Sequence, residues 1–130
     1  MIYLFIGQPG SGKTTLAKKL QWWLQTEKKN WRKSVFHIDE NDTTNPIEVA
    51  KYLQKCDIDV VMSLTFPNRN LREQFKSECR VQEIYCHTKK MRGKEDKFIL
   101  DYEPPIKFYV DLDTSDSPDN TFTKLIKMLL

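Results

Sequence analysis

Long apolar runs are missing from this chain of 130 residues. A helix that crosses a bilayer needs roughly 20 consecutive apolar residues, so no membrane-spanning segment is expected. The opening MIYLFI has no basic residue ahead of its apolar stretch and leads straight into a glycine-bearing loop. That does not read as a secretory leader, and a cytoplasmic location is the expectation. Cysteine is sparse and odd in number, with Cys56, Cys79 and Cys86 never in C-x-x-C spacing. Neither a disulfide framework nor a zinc knuckle is suggested, and buried free thiols are expected. Net charge is only +3, too little to mark a nucleic-acid-binding protein by itself. There is no repeat, low-complexity tract or linker. The absence of a guanine-specifying Asn-Lys-x-Asp counts against a GTPase switch.

What is present suits one soluble domain over residues 1–130, with 39% hydrophobic and 30% charged residues, long enough to bury a core. Charge is unevenly placed. Lys13, Lys18, Lys19, Lys28, Lys29, Arg32 and Lys33 face a single acid, Glu27, and a second basic stretch runs from Arg69 to Lys97. Acids gather at Asp39 to Asp42 and Asp111 to Asp119. A basic pocket for phosphates gives this pattern, and so do solvated helix faces.

Hydrophobic periodicity alternates between strand-like and helical segments. IYLFI (2–6) suits a strand buried on both faces. Leu16, Leu20, Trp23 and Leu24 then recur at helical spacing. SVFHID (34–39), VVMSLT (60–65), QEIYC (82–86) and IKFYVDL (106–112) read as further strands. Asn45 as cap and Pro46 at the first position start a helix; Asn68 or Asn70 caps another through LREQFKSEC, and a last helix runs from near Pro118 to Leu130. The alternation predicts an α/β sandwich around a parallel sheet of about five strands.

Between the first strand and helix lies GQPGSGKTT (7–15), which fits G-x-x-x-x-G-K-[ST]. Glycines let the backbone curl and present its N–H groups inward as an anion nest, and the following helix aims its positive dipole end at the same point. Lys13 supplies a flexible point charge for the outer phosphates, and the Thr14 hydroxyl suits Mg²⁺. Gly7, Gly10, Ser11, Gly12, Lys13, Thr14 and Thr15 are therefore the candidate cradle for ATP with Mg²⁺. A phosphoryl transferase also needs a carboxylate near the metal or the attacking hydroxyl. Asp39 closes its strand at the carboxyl end, where ligands sit in such folds, with Glu40 and Asp42 beside it. Asp39 is the second candidate for metal and catalysis, alongside Lys13. His37 reads as a core or face histidine and His87 as a weak candidate to line the site. No Ser–His–Asp constellation is suggested.

The order of motifs resembles the adenylylsulfate kinases. GQPGSGKTTLAKKL is similar to that family's loop and first helix, and FHIDEND to its strand-end acidic motif. VVMSLTFPNRNLREQF resembles its Ser-Leu-Ile-(Ala/Ser)-Pro-(Tyr/Phe)-Arg-x-x-Arg segment, while EIYCHT and the later YEPP resemble the segments flanking its lid. The resemblance implies a P-loop kinase domain, MgATP in the loop, Asp39 near metal or hydroxyl, and a role in sulfate assimilation. It places Ser63, Pro67, Arg69 and Arg72 at the substrate, with the two arginines facing an anionic small molecule. The chain departs from the family at Asn41, where a second Asp is usual, and at Thr44, where an arginine belongs. The acceptor-side loop and the lid, KKMRGKEDKFILD, are short, and Lys90, Arg92 and Lys94 are its unplaced basic residues. Two other readings stay open. One is a kinase for a nucleoside, nucleotide or polynucleotide end, with Trp22, Trp23 and Trp31 offering base stacking if they do not pack the core. The other is a non-catalytic nucleotide binder.

Overall fold

The computed structural model describes residues 1–26 and 34–129. Glu27, Lys28, Lys29, Trp31, Arg32, Lys33 and Leu130, singled out above, lie outside the described residues. The order is β1 (Ile2–Ile6), α1 (Lys13–Thr26), β2 (Val35–Asp39), α2 (Pro46–Lys55), β3 (Asp59–Leu64), α3 (Arg69–Glu78), β4 (Val81–His87), β5 (Tyr109–Asp113) and α4 (Pro118–Leu129), with one 3-10 turn at Glu95–Lys97. All neighbouring strands run parallel in a five-stranded sheet of order β2-β3-β1-β4-β5.

Because side chains alternate across a strand, β1 feeds both faces of the sheet. Phe5 joins Leu16, Ala17, Leu20 and Leu24 of α1 and Leu125 of α4 in one buried cluster. Ile2, Leu4 and Ile6 join Ala50 of α2 and Phe75 of α3 in the other. The result is the three-layer α/β/α sandwich that the sequence pattern predicts. The i, i+4, i+8 row of Leu16, Leu20 and Leu24 is the reason α1 lies flat on the sheet. Truncating the fully buried Leu20 to alanine removes about 2–5 kcal/mol of that anchoring.

The sheet order also leaves an opening at one end. The helix after β1 covers one face and the helix after β3 the other, although β1 and β3 are hydrogen-bonded neighbours. Their outgoing loops diverge and leave a crevice at the carboxyl end of the sheet.

Four expectations need correction. The last strand begins at Tyr109, because Phe108 holds φ of 51° and breaks the extended run. The Asn45 side chain makes no capping hydrogen bond, so Pro46 alone marks the start of α2; Asn68 does cap α3, accepting from Leu71 N–H at 3.1 Å. Trp22 is 56% exposed, whereas Trp23 packs on the first cluster. Of the thiols only Cys86 is buried; Cys56 is exposed. Among the described residues no helix is long and apolar enough to cross a membrane.

Candidate active site

The loop between β1 and α1 sits at the crevice. Gly7 is a position of close approach: a Cβ there would lie 2.4 Å from the Cys86 carbonyl oxygen and 2.6 Å from Ser11 Oγ. Gly12 turns with φ of 86°, a conformation glycine reaches without strain. The loop closes through Ser11 N–H to Gln8 O (3.1 Å), and α1 starts with Leu16 N–H to Gly12 O (3.1 Å). The N–H groups of the first turn are left without helical acceptors, which makes this end a ready anion site.

Lys13 is buried and its Nζ donates to Gln8 O at 3.2 Å, across the mouth of the loop. Burial pulls its pKa below the ordinary lysine value, although Glu40, Cys86 and Asp39 act in the opposite sense. An ammonium held in this way gains from a phosphate that restores its counter-charge. Cys86 stays an inert thiol, since burial pushes it up to about 12.

Asp39 ends β2 and lies opposite Ser63 on β3. Its Oδ1 accepts from Ser63 Oγ at 2.8 Å and from Thr14 Oγ1 at 3.3 Å. Burial alone would raise the Asp39 pKa. The hydrogen bonds from Ser63, the Glu40 backbone and Thr14 outweigh that and hold it below the usual carboxylate value. Thr14 and Asp39 thus bring hard oxygens together at the helix N-terminus. Such a pair fits Mg²⁺, which takes one or two protein oxygens and keeps its waters. Among the described residues no cluster of three or more His, Cys, Asp or Glu forms a protein-only metal cage.

His37 Nε2 lies 2.8 Å from Ser63 Oγ. Ser63 spends its proton on Asp39, so His37 must be the donor, with its proton on Nε2. Burial lowers the His37 pKa despite Asp39 and Asp42 nearby, which keeps the ring neutral. His, Ser and Asp do meet here, but with serine in the middle. The imidazole donates to the serine and does not accept its proton, so this is a device for holding Asp39 and not a nucleophilic triad.

Beyond Asp39 opens a cavity of about 710 Å³, walled by residues 40–44, Pro46 and Ile47 on one side and 64–67 on the other. Glu40 joins the two walls, accepting from Thr65 N–H (3.2 Å) and from the Thr65 hydroxyl. Asn41 and Thr44, the two departures from the family pattern, both line it.

The expected anion-gripping arginines are elsewhere. Arg72 is fully buried; its Nε donates to Glu83 Oε2 (2.8 Å), Nη1 to Phe66 O (2.6 Å) and Nη2 to Glu103 O. It is buried where it ties α3 and the cavity wall to the YEPP segment. Arg69 spends its Nε on Pro104 O at 2.7 Å. Ser63 holds Asp39 and does not line the cavity, while Pro67 does. The spacing of the two arginines gave no sign of this, because their partners lie far along the chain.

The lid segment reaches back over the loop. Arg92 donates from Nη1 to Gly10 O at 3.2 Å and from Nη2 to Thr114 O. The Lys94 side chain lies where a Cβ on Gly10 would touch it at 3.2 Å. Lys90 makes no such approach; its N–H goes to Thr88 Oγ1. Gln8 pins the lid by a reciprocal pair, Nε2 to Ile99 O (2.8 Å) and Ile99 N–H to Oε1 (2.9 Å). Nothing in the sequence pattern singled out Gln8. Thr15, on the outer side, lines a small cavity of about 70 Å³ with Gly12, Arg92, Thr114 and Pro118.

Sheet order and layers together make a P-loop NTPase-like α/β fold. Solved structures similar to the chain agree. APE1195 matches with a TM-score of 0.68 at 23% identity, over 99% of this chain and 94% of that one. Kti12 from Chaetomium thermophilum, in complex with ADP-AlF3, matches with a TM-score of 0.64 at 14% identity, over the full length of both. A thymidylate kinase from Ehrlichia chaffeensis matches with a TM-score of 0.58 at 13% identity, over 100% of this chain and 98% of that one. No family model and no curated protein matches the sequence.

Proposed function

We propose that the chain is an ATP-dependent phosphotransferase that moves the γ-phosphoryl group of ATP to a hydroxyl of a small molecule held in the 40–67 cavity. The observation that carries the reading is the Thr14–Asp39 oxygen pair, 3.3 Å apart, set between a lysine-closed anion nest and a cavity of about 710 Å³. The adenylylsulfate kinase resemblance and the ADP-AlF3 complex of the similar Kti12 support the donor half.

The loop N–H groups and Lys13 bind the triphosphate and offset charge on the transferring group. Arg92 and Lys94 cover its outer side. Thr14 and Asp39 would hold Mg²⁺, which would supply charge neutralisation for the phosphates. Ser63 and His37 fix Asp39 in one rotamer and keep it ionised, and Asp39 orients the acceptor hydroxyl from the cavity side. Catalysis in this arrangement is positioning and electrostatics.

The test is transfer of labelled γ-phosphate from MgATP to a panel of hydroxyl compounds, with calorimetry of ATP binding run in parallel. Labelled product that Lys13→Ala abolishes is the expected result. ATP binding with no transfer to any acceptor favours the non-catalytic binder, and absence of ATP binding removes the reading altogether.

A further inference from the structure

We infer that the acceptor portion filling the 40–67 cavity is uncharged or cationic and not anionic. This rests on the phosphotransferase reading, but the observations behind it are separate. Among the described residues that line the cavity none is Lys, Arg or His. The ionisable lining groups are two carboxylates, Glu40 and Asp42, both exposed. The remaining lining is neutral: Asn41, Thr43, Thr44 and Thr65 are polar, and Ile47, Leu64 and Phe66 are apolar.

The nearby cations are already committed. Arg72 is sealed in the core on Glu83, and Arg69 is turned to the Pro104 carbonyl. Lys13 and Lys94 lie against the phosphate loop, where the donor triphosphate claims them. A phosphate, sulfate or carboxylate in the cavity would therefore lose water without gaining a counter-charge, and would face like charge. A hydroxyl compound with an apolar body fits the Ile47–Leu64–Phe66 wall. An amine on it would meet Glu40 or Asp42.

The carboxylates are also held in place. Glu40 Oε1 is fixed by the Thr65 N–H and hydroxyl, and Asp42 Oδ2 accepts Asp39 N–H at 2.7 Å. These contacts leave little freedom for the loop to swing its charge away from an incoming anion.

The experiment uses the whole chain with MgATP. ADP release is measured with ethanolamine and choline, with glycerol and adenosine, and with gluconate, adenosine 5′-monophosphate and adenylylsulfate. The expected result is that the best acceptor comes from the first two groups, with kcat/KM at least about tenfold above every anion, or about 1.4 kcal/mol. Where no compound is phosphorylated, the same panel is read by saturation-transfer NMR on the protein loaded with MgADP. Binding of a neutral or cationic member, above every anion, supports the inference. An anion that turns over or binds equally well overturns it, and so does failure of every neutral and cationic member to bind. Thr44→Arg, which puts a guanidinium on the wall at an exposed position, is expected to reverse the preference toward adenylylsulfate. Loss of ATP binding in the calorimeter would instead remove the phosphotransferase reading, so the two failures are told apart.

Discussion

Arg72→Ala separates a structural arginine from a substrate-facing one. In the folded chain the Arg72 and Glu83 side chains are both 0% exposed. The guanidinium spans Glu83, the Phe66 carbonyl and the Glu103 carbonyl, and lies 5.9 Å from the centre of the Tyr102 ring. Breaking a buried pair by removing one partner costs about 3–5 kcal/mol. Glu83 keeps Lys76 Nζ at 2.8 Å, which favours the lower end, and the two carbonyls add about 1 kcal/mol each. A loss of roughly 4–5 kcal/mol is a large share of the ~7–20 kcal/mol expected for a chain of this length. It corresponds to a fall in Tm on the order of 15 °C. Urea unfolding followed by tryptophan fluorescence reads this directly. Arg72→Lys is expected to recover little, since one ammonium cannot copy a planar fork that reaches three acceptors. Should Arg72→Ala unfold at the parent's urea concentration while acceptor KM rises alone, the guanidinium faces a ligand and the assignment is wrong.

Burial lowers the Lys13 pKa, so the unfolded chain binds the proton more readily and stability rises with pH up to the ordinary lysine value of 10.5. ATP restores the charge, and binding on the alkaline side is expected to take up protons, seen as a calorimetric enthalpy that varies with the buffer's ionisation enthalpy and lost in Lys13→Met. Asp39 has a lowered pKa; its contribution to stability is present above 3.8 and disappears as pH falls through the lowered value. Asp39→Asn is expected to remove that acid-side dependence in thermal melts and to cut kcat by about 10²-fold or more while ATP affinity holds. Ser63→Ala takes away a stabilising hydrogen bond, and the acid limb of the pH–rate profile is expected to move upward. Gly7→Ala drives a Cβ to 2.4 Å from a backbone oxygen and is expected to lower stability by about 3 kcal/mol or more, measured by urea unfolding.

Local features of the chain were legible because their causes are local. The loop is a run of consecutive residues whose glycines set the turn, and the strand before it and the helix after it follow from apolar period alone. Asp39 was readable because a strand's carboxyl end is marked by where its β pattern stops. The lid's basic residues were visible in composition but not in place, since a loop without periodicity carries no direction. The partners of Arg69 and Arg72 were not readable, because a spacing of three says that two side chains share a helix face and not what that face meets. Ser63 was expected at the substrate, yet strand pairing turned it onto Asp39.

By itself the sequence determined the glycine loop, the α/β alternation and the carboxylate at the end of β2, since each depends on residues adjacent in the chain. Only the tertiary structure decided that Arg72 belongs to Glu83 and Glu103, that Gln8 locks to Ile99, and that the 40–67 cavity carries two carboxylates and, among the described residues, no cationic side chain. Those facts depend on the strand order β2-β3-β1-β4-β5. It brings together side chains as far apart as Lys19 and Asp119, 100 positions along the chain, a pairing set by packing of the whole sheet and by no local conformational preference.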